Sequence, residues 1–240
     1  MKSIFEYLST KVKPSTIKAT NENIWKIVNN EIKYLGEEAD LNHIDVSEVT
    51  IFDEVFYSTS FRGDISNWDV SNAENMRSMF FNCKFNNDIS NWDVGNVKNM
   101  YSMFYESEFN GDISNWNVSN VENMSYMFAK SKFNGDISKW DVSNVKNMSY
   151  MFTNSKFNGD ISNWDVSNAE NMRSMFSNCK FNGDISKWNV SNVKDMRCMF
   201  YKSEFNGDIS KWNVSNVKDM SDIFKYSPLQ YNPPKWYKNK

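Results

Sequence analysis

The sequence predicts an α/β solenoid in which every turn of 24 residues contributes one short strand and one short helix. Phenylalanine, tryptophan and methionine recur with this period. Residues that occupy the same place in successive units are here called a column. The first column is Phe61, Phe85, Phe109, Phe133, Phe157, Phe181 and Phe205, and the second is Trp68, Trp92, Trp116, Trp140, Trp164, Trp188 and Trp212. Every methionine except Met1 falls in two further columns, one from Met76 to Met220 and one from Met79 to Met199. Seven regular units therefore span residues 61–228 and share one apolar core.

The first half of a unit predicts a strand. Trp68 and Val70 alternate with Asn67 and Asp69, which is the period of two expected of a strand that is buried on one face. Stacked strands of this kind form a continuous sheet along the solenoid.

The second half of a unit predicts a helix. Ser71-Asn72-Ala73-Glu74 matches a capping box, a typical helix start. Ala73, Met76, Met79 and Phe80 then follow at spacings of three, three and one, which places them on one helical stripe. The helix is thus expected to cover the same core as Trp68.

A glycine marks the return turn of most units. It occurs at Gly63, Gly111, Gly135, Gly159, Gly183 and Gly207, with Asn87 in the remaining unit. Glycine and asparagine best accept a positive φ, so a left-handed backbone is expected at this place.

The two ends of the array carry decayed copies of the unit. Residues 37–60 are a degenerate repeat, because DLNHIDVSEVTIFDEVF aligns in phase with the regular units and puts Ile44 in the tryptophan column. Residues 229–240 are a truncated repeat or tail with Leu229 in the phenylalanine column and Trp236 in the tryptophan column, and prolines stop the pattern there.

Residues 1–36 are predicted to be an N-terminal capping helix region. A helical face is formed by Ile24, Ile27, Val28, Ile32 and Leu35, and Gly36 stands where a helix stop belongs. A solenoid needs such caps, since its end turns have a neighbour on one side only.

Composition excludes several classes of function. The net charge of -3 favours neither nucleic acid nor anionic lipid as a partner. No apolar run is long enough to span a membrane, and the start MKSIFEYLSTKVKPST lacks the apolar stretch of a signal peptide, so a cytoplasmic location is expected from these residues. The odd number of cysteines, Cys83, Cys179 and Cys198, predicts reduced thiols.

Units containing WDVSNVxNMxxMF and FNxDIS resemble the BspA-type leucine-rich repeat family of bacterial surface proteins, over residues 37–228. The resemblance implies a right-handed solenoid and a role in adhesion or protein binding. Members of that family are often exported, so it also implies a cell-surface or secreted location.

The exposed positions of the expected strands are the candidate partner-binding surface, here named the predicted face. Its members are Asn67, Asp69, Asn91, Asp93, Asn115, Asn117, Lys139, Asp141, Asn163, Asp165, Lys187, Asn189, Lys211 and Asn213. Its charge drifts from acidic to basic along the array, while the core columns stay fixed. The leading prediction is a protein-interaction module without a cofactor. The alternatives are a soluble surface without a ligand and a structural spacer that binds copies of itself.

Three other polar columns are expected to support the scaffold. The asparagines from Asn72 to Asn216 are predicted to bond to the backbone of the neighbouring turn. The column that starts Glu74, Lys98 and Glu122 alternates in charge between adjacent turns, which avoids repulsion. The aspartates from Asp64 to Asp208 are expected to accept N–H bonds within their own turns. A calcium-stabilised array is the alternative for the aspartates, although calcium takes about six to eight oxygen ligands and each turn offers one carboxylate here.

Catalysis is not expected. His43 is the single histidine, and no acid and base are paired outside the repeating columns. Seven near-copies of one site do not bring distinct groups together in one pocket, which an active site requires. We therefore predict no catalytic residues, no metal ligands and no cofactor.

Overall fold

The computed structural model describes residues 16–239. Strand β1 (Ile17–Lys18) pairs in parallel with strand β2 (Ile44–Asp45), and helix α1 (Ile24–Leu35) lies between them in the chain. Two short 3-10 helices, Pro228–Gln230 and Lys235–Asn239, follow the last regular unit. The expected absence of a signal peptide and the first part of the predicted capping region 1–36 concern residues outside this description.

Helix α1 occupies the segment where the apolar spacing predicts a helix. Ile24 and Val28 are buried, Ile27 and Ile32 pack partly against the core, and Leu35 is 56% exposed. The buried stripe therefore ends before the last turn of the helix. Gly36 follows with a φ of 95° and donates its N–H to the carbonyl of Ile32.

The rest of the chain forms a stack of turns that are in register at 24 residues. Parallel bridges join Asp40 to Asp64 and Ile51 to Asn75, and then continue at the same period as far as Asp195 and Asp219. The degenerate repeat thus stacks directly on the first regular unit. The chain is a repeat solenoid with its core enclosed by the turns.

The predicted helix in each regular unit is wrong. Between Asn75 and Asn82 the backbone donors reach the next turn, as in Met76 N–H to Asn99 O at 3.0 Å and Phe80 N–H to Met103 O at 2.9 Å. Tight turns such as Met79 N–H to Met76 O replace the helical bonds. Consecutive tight turns bury Met76, Met79 and Phe80 as well as a helix does, and they leave the other donors free to join neighbouring turns.

The predicted strand in each regular unit is also wrong. Trp68 and Val70 are buried and Asn67 and Asp69 are exposed, as the alternation predicts, but this segment has no ladder of backbone bonds to its neighbours. Within residues 16–239 the only strands are β1 and β2. Aspartate side chains explain the difference, since the carboxylate of Asp69 binds the N–H two residues later and so competes with sheet bonding.

The left-handed residues do not lie at the predicted glycines. Gly36 is the one glycine with positive φ in the described part of the chain, whereas two non-glycine residues per turn adopt it, for example Ser102 and Glu106, both at 53°. The return-turn glycines serve close packing instead. A methyl group on Gly111 would lie 2.8 Å from Cε2 of Phe109, which is too close for a carbon contact.

Replacing Lys202 by valine is expected to lower the free energy of unfolding by about 1 kcal/mol, because a β-branched residue is disfavoured at positive φ. Lys202 is exposed and has a φ of 53°, and the substitution also removes the contacts of its ammonium with the rings of Tyr201 and Tyr226. Lys180→Val is the control, since Lys180 is exposed and outside the left-handed set. Urea denaturation measures both variants, and equal losses would contradict the left-handed conformation.

The core consists of stacked aromatic columns. The rings of Phe80 and Phe104 are 5.5 Å apart with 2° between their planes, and the same column continues to Phe224. Each tryptophan of the repeating column donates its indole N–H to a carbonyl 27 residues earlier, as in Trp140 to Ile113 at 3.0 Å. Trp236 makes the last such bond, to Ile209 at 2.8 Å, so the tail residues continue the pattern of the array.

Candidate interaction surfaces

All fourteen residues of the predicted face are exposed. In half of them, however, the side-chain oxygen already accepts a hydrogen bond from the residue two positions later in the same turn. Oδ1 of Asp69 accepts the N–H of Ser71 at 3.1 Å and its hydroxyl at 2.6 Å, and Oδ1 of Asn117 accepts the same two donors from Ser119. This column therefore shapes the turn and leaves only part of each side chain for a partner.

The aspartate column that starts at Asp64 also shapes its own turns, and its hydrogen bonds confirm the expected turn contacts. Oδ1 of Asp112 accepts the N–H of Ser114 at 2.9 Å, and Asp136 and Asp160 do the same with the serines two residues later. The backbone N–H and then the hydroxyl of Ser114 hold the pKa of Asp112 below its ordinary value. Within residues 16–239 no group of three or more histidine, cysteine, aspartate or glutamate side chains is placed to hold a metal ion.

The free energy of unfolding is expected to stay level from about pH 7 to about pH 5 and to fall below about pH 4. Because the pKa values of Asp112, Asp136 and Asp160 are lowered in the folded state, ionised carboxylates stabilise the fold above the unfolded-state pKa. That contribution is lost as the pH falls through the folded-state pKa. Urea titrations across this range measure it, and the triple change of these aspartates to asparagine should flatten the decline. Constant stability down to about pH 3 would contradict the assignment.

Two other polar columns also bind from turn to turn. The amide of Asn144 donates to the carbonyl of Ser119 at 2.7 Å, and the asparagines from Asn72 to Asn216 repeat this bond, which confirms the predicted contact with the neighbouring backbone. In the charged column, Lys98 pairs with Glu74 at 2.9 Å and Lys146 with Glu122 at 2.7 Å. The side chains of these two columns therefore bind neighbouring turns and stabilise the scaffold.

A second exposed surface was not predicted. It consists of the four columns that contain Arg77, Ser78, Phe81 and Asn82, counted from the degenerate repeat onward, and it is named here the tyrosine–arginine face. Its aromatic and cationic members are Tyr57, Arg77, Phe81, Tyr101, Tyr105, Tyr126, Lys130, Tyr150, Arg173, Arg197, Tyr201, Lys202, Lys225 and Tyr226. Ring and cation contacts between these columns join them into one surface.

The centre of the tyrosine–arginine face is a platform of stacked tyrosines. The rings of Tyr126 and Tyr150 are 4.4 Å apart and nearly parallel, and Tyr101 meets Tyr126 edge-on at 5.8 Å. An arginine lies at each end, Arg77 at 5.9 Å from the ring of Tyr101 and Arg173 at 5.5 Å from the ring of Tyr150. Partial burial, with Tyr150 beside it, raises the pKa of Tyr126 to about 12, so the phenol of Tyr126 is uncharged at neutral pH.

Among residues 16–239, the histidine and the two buried cysteines lie in separate turns. His43 is largely buried, with Nε2 at 3.1 Å from Oε2 of Glu31, and it lies in the degenerate repeat. Cys83 and Cys179 are buried, and burial raises the pKa of both thiols. These groups are far apart in the sequence and belong to different turns.

Comparison with known protein families gives three overlapping matches to one family, described as Mycoplasma protein of unknown function, DUF285. The matches cover residues 26–134, 106–180 and 130–236. The chain belongs to this family. No curated protein matches the chain, and no solved structure matches it.

The tandem matches to the DUF285 family agree with the repeat solenoid seen in the structure. They carry no information about activity, because the family itself has no assigned function. In the described residues no helix is long and apolar enough to cross a membrane.

Sequence variation marks the tyrosine–arginine face, and it is the signal that could have revealed this surface. In the regular units of this DUF285 chain, the column of Phe81 holds Phe, Tyr, Ala, Thr, Ser and Lys. By contrast, the columns of Asn67 and Asp69 in the predicted face alternate only between Asn and Lys and between Asp and Asn. The greatest chemical diversity therefore lies where the tyrosines and arginines cluster.

Proposed function

We propose that the chain is a non-catalytic protein-interaction solenoid, which uses a fixed scaffold to present a variable surface to a partner protein. The observation that carries this proposal is the contrast between columns. Core and polar scaffold columns repeat almost unchanged and are bonded within the array, whereas surface columns such as the largely half-buried column of Phe81 change from turn to turn. Variable exposed residues on a rigid scaffold are typical of recognition surfaces.

The finer parts of this proposal come from the resemblance to BspA-type leucine-rich repeats. It favours right-handed winding, a surface location and adhesion as the purpose of binding. Absence of catalysis is part of the same proposal, because seven near-copies of one unit offer no convergent set of distinct reactive groups.

Reconstitution with a purified partner tests the proposal. Candidates captured from lysates of the producing cell and of a host are purified, and light scattering measures whether each forms a complex of fixed stoichiometry with the full chain. A variant with Asp69, Asp93 and Asp165 changed to lysine tests the predicted face, and loss of the complex in that variant would place binding there. Failure of every purified candidate to form a complex would contradict the proposal.

A structural spacer that binds copies of itself is the second candidate. The observation in its favour is the apolar surface near the last regular turn, where Met220 is only partly buried and Tyr231 is 86% exposed. Light scattering across a range of concentrations separates the two functions, since a persistent monomer is incompatible with self-assembly.

A further inference from the structure

We infer that the tyrosine–arginine face binds an acidic polypeptide segment and that Arg173 receives a carboxylate of that partner. The inference rests on the proposed function, and it adds the surface, the chemistry of the partner and the central residue. Four observations support it: composition, charge, the environment of Arg173 and the rigidity of the tyrosine platform.

The composition of this face is that of a recognition surface. It holds seven of the eleven tyrosines of the chain and three of its four arginines. Asn82, Asn154 and Asn178 are exposed in the same columns, whereas five of the seven serines there in the regular units are buried. Tyrosine and arginine dominate the residues that contribute most to protein–protein binding, and asparagine supplies adaptable hydrogen bonds beside them.

The charge of this face opposes that of the whole chain. The chain has a net charge of -3, yet the four columns of this face, counted from the turn of Tyr57, carry six cations and four carboxylates, Asp53, Glu54, Glu106 and Asp222. A surface of this sign favours approach of an acidic partner.

A comparison within the chain shows that Arg173 lacks the partner its copy has. Residues 63–84 and 159–180 differ only at Phe81 and Ser177, so Arg77 and Arg173 are the same residue in two copies of one segment. Nη2 of Arg77 lies 3.5 Å from Oε1 of Glu54 in the preceding turn. In the second copy the place of Glu54 is taken by Tyr150, whose ring lies 5.5 Å from the guanidinium carbon of Arg173.

The exchange of a glutamate for a tyrosine leaves Arg173 without the ion pair that Nη2 of Arg77 makes. Its Nε is buried and has no acceptor among residues 16–239. The charge of Arg173 lowers the pKa of Asp219, but that carboxylate forms its ion pair with the neighbouring Arg197. A guanidinium that is stacked on an aromatic ring and makes no ion pair within the described residues is well suited to bind a carboxylate of a partner.

The tyrosines beside Arg173 are already ordered. Tyr126 and Tyr150 stack on each other, and both backbones are held in the left-handed conformation, with φ of 61° and 60°. Rigid aromatic side chains lose little conformational entropy on binding. Apolar atoms of a partner segment can therefore pack on this platform while its carboxylate reaches Arg173.

The pattern of charges favours a polypeptide over a nucleic acid. Lys130 is paired with Glu106, and Lys225 with Asp222, so the cations of this face do not form a continuous unpaired track. A phosphate backbone needs several such contacts in succession, because the affinity for nucleic acid depends on the number of phosphates neutralised.

Selection from a displayed library of random 12-residue peptides on the immobilised full chain tests the inference. Fluorescence anisotropy then measures the selected peptides against the unmodified chain and against Arg173→Ala, Arg173→Lys and Tyr150→Ala. We expect peptides rich in aspartate and glutamate, and binding weakened about tenfold or more by Arg173→Ala, as for a central interface arginine. Arg173→Lys should lie between, because lysine keeps the charge and loses the planar geometry.

Arg62→Ala is the matched control, and it should change binding by less than about twofold because Arg62 lies outside this face and is paired with Glu37 and Glu38. Thermal melts confirm that each variant is folded before it is compared. Selected peptides that are not acidic, or that bind all variants equally, would overturn the inference and leave the proposed function standing. Failure to select any peptide would also overturn the inference, as would tighter binding of a 20-nucleotide oligothymidylate to the same residues. Failure of the partner reconstitution, in contrast, would contradict the proposed function.

Discussion

Deletion of one complete unit, residues 133–156, is expected to leave a folded protein, whereas deletion of half that unit, residues 133–144, abolishes cooperative folding. The complete deletion joins Lys132 to Phe157, which keeps the phenylalanine column in phase. The indole of Trp164, which now bonds to Ile137, then meets the equivalent carbonyl of Ile113. Each turn thus receives a neighbour with the same core and the same polar columns.

The half-unit deletion breaks every contact across the junction. Indole bonds span 27 residues, asparagine amide bonds span 25, and the backbone bridges span 24, and all of these separations change there. Val145 then occupies the place of a phenylalanine. Since stability in a repeat array depends on interfaces between neighbours, loss of one complete interface separates the two parts.

Urea denaturation followed by tryptophan fluorescence measures both deletions. The complete deletion should show one transition with a slightly smaller dependence on urea, because less surface is exposed on unfolding. The half-unit deletion should show no single cooperative transition. Similar behaviour of the two proteins would contradict stacking in register.

Phe128→Ala is expected to lower the free energy of unfolding by about 3–5 kcal/mol, the range for removing a fully buried aromatic ring. Phe128 has no exposed surface, and its ring lies 4.2 Å from that of Phe133 and 5.8 Å from that of Phe104. The two neighbouring turns are held in position, so the cavity cannot collapse easily. The loss should therefore approach the upper end of the range.

Phe81→Ala is the control for this cavity. Phe81 also stacks on two rings, Tyr57 and Tyr105, at 4.6 Å each, but it lies half-buried on the surface. Its removal leaves a space that water fills, and a loss of about 1 kcal/mol is expected. Chemical denaturation compares the two variants, and equal losses would show that the column of Phe128 is not the core.

The repeat and its buried columns could be predicted from the sequence because they depend on identity and spacing alone. Phe61, Trp68 and Met76 recur in phase, and all three are buried. The turn contacts of Asp112 and the amide bonds of Asn144 could also be predicted, since each follows from a local property of the side chain.

The local path of the chain could not be predicted in the same way. Spacings of three and four between Met76, Met79 and Phe80 suit a helix and suit consecutive tight turns equally well. The choice is made by backbone bonds to residues about 23 positions away, such as Asn99 and Met103, which no local pattern contains. Left-handed residues were missed for a related reason, because Ser102 and Tyr126 have no strong preference for positive φ.

The tyrosine–arginine face was missed because its members stand in different columns. Tyr101 and Tyr126 are 25 residues apart, and their contact follows from the tight turns that replaced the predicted helix. The predicted face was chosen by alternation, which gave correct exposure at Asn67 and Asp69 and no information about which exposed surface binds.

The stacking of equivalent turns is tested most directly by distances between pairs of spin labels. One label is placed at Lys84 and the other at Lys156, Lys180 or Glu204. These exposed residues share one column, three, four and five turns from Lys84. Serine can replace Cys83, Cys179 and Cys198 beforehand, since the chain itself has serine elsewhere in both of their columns. The distances should rise in equal steps of about 4.8 Å per turn. Distances that stay constant or change without order would contradict the solenoid on which the binding proposals depend.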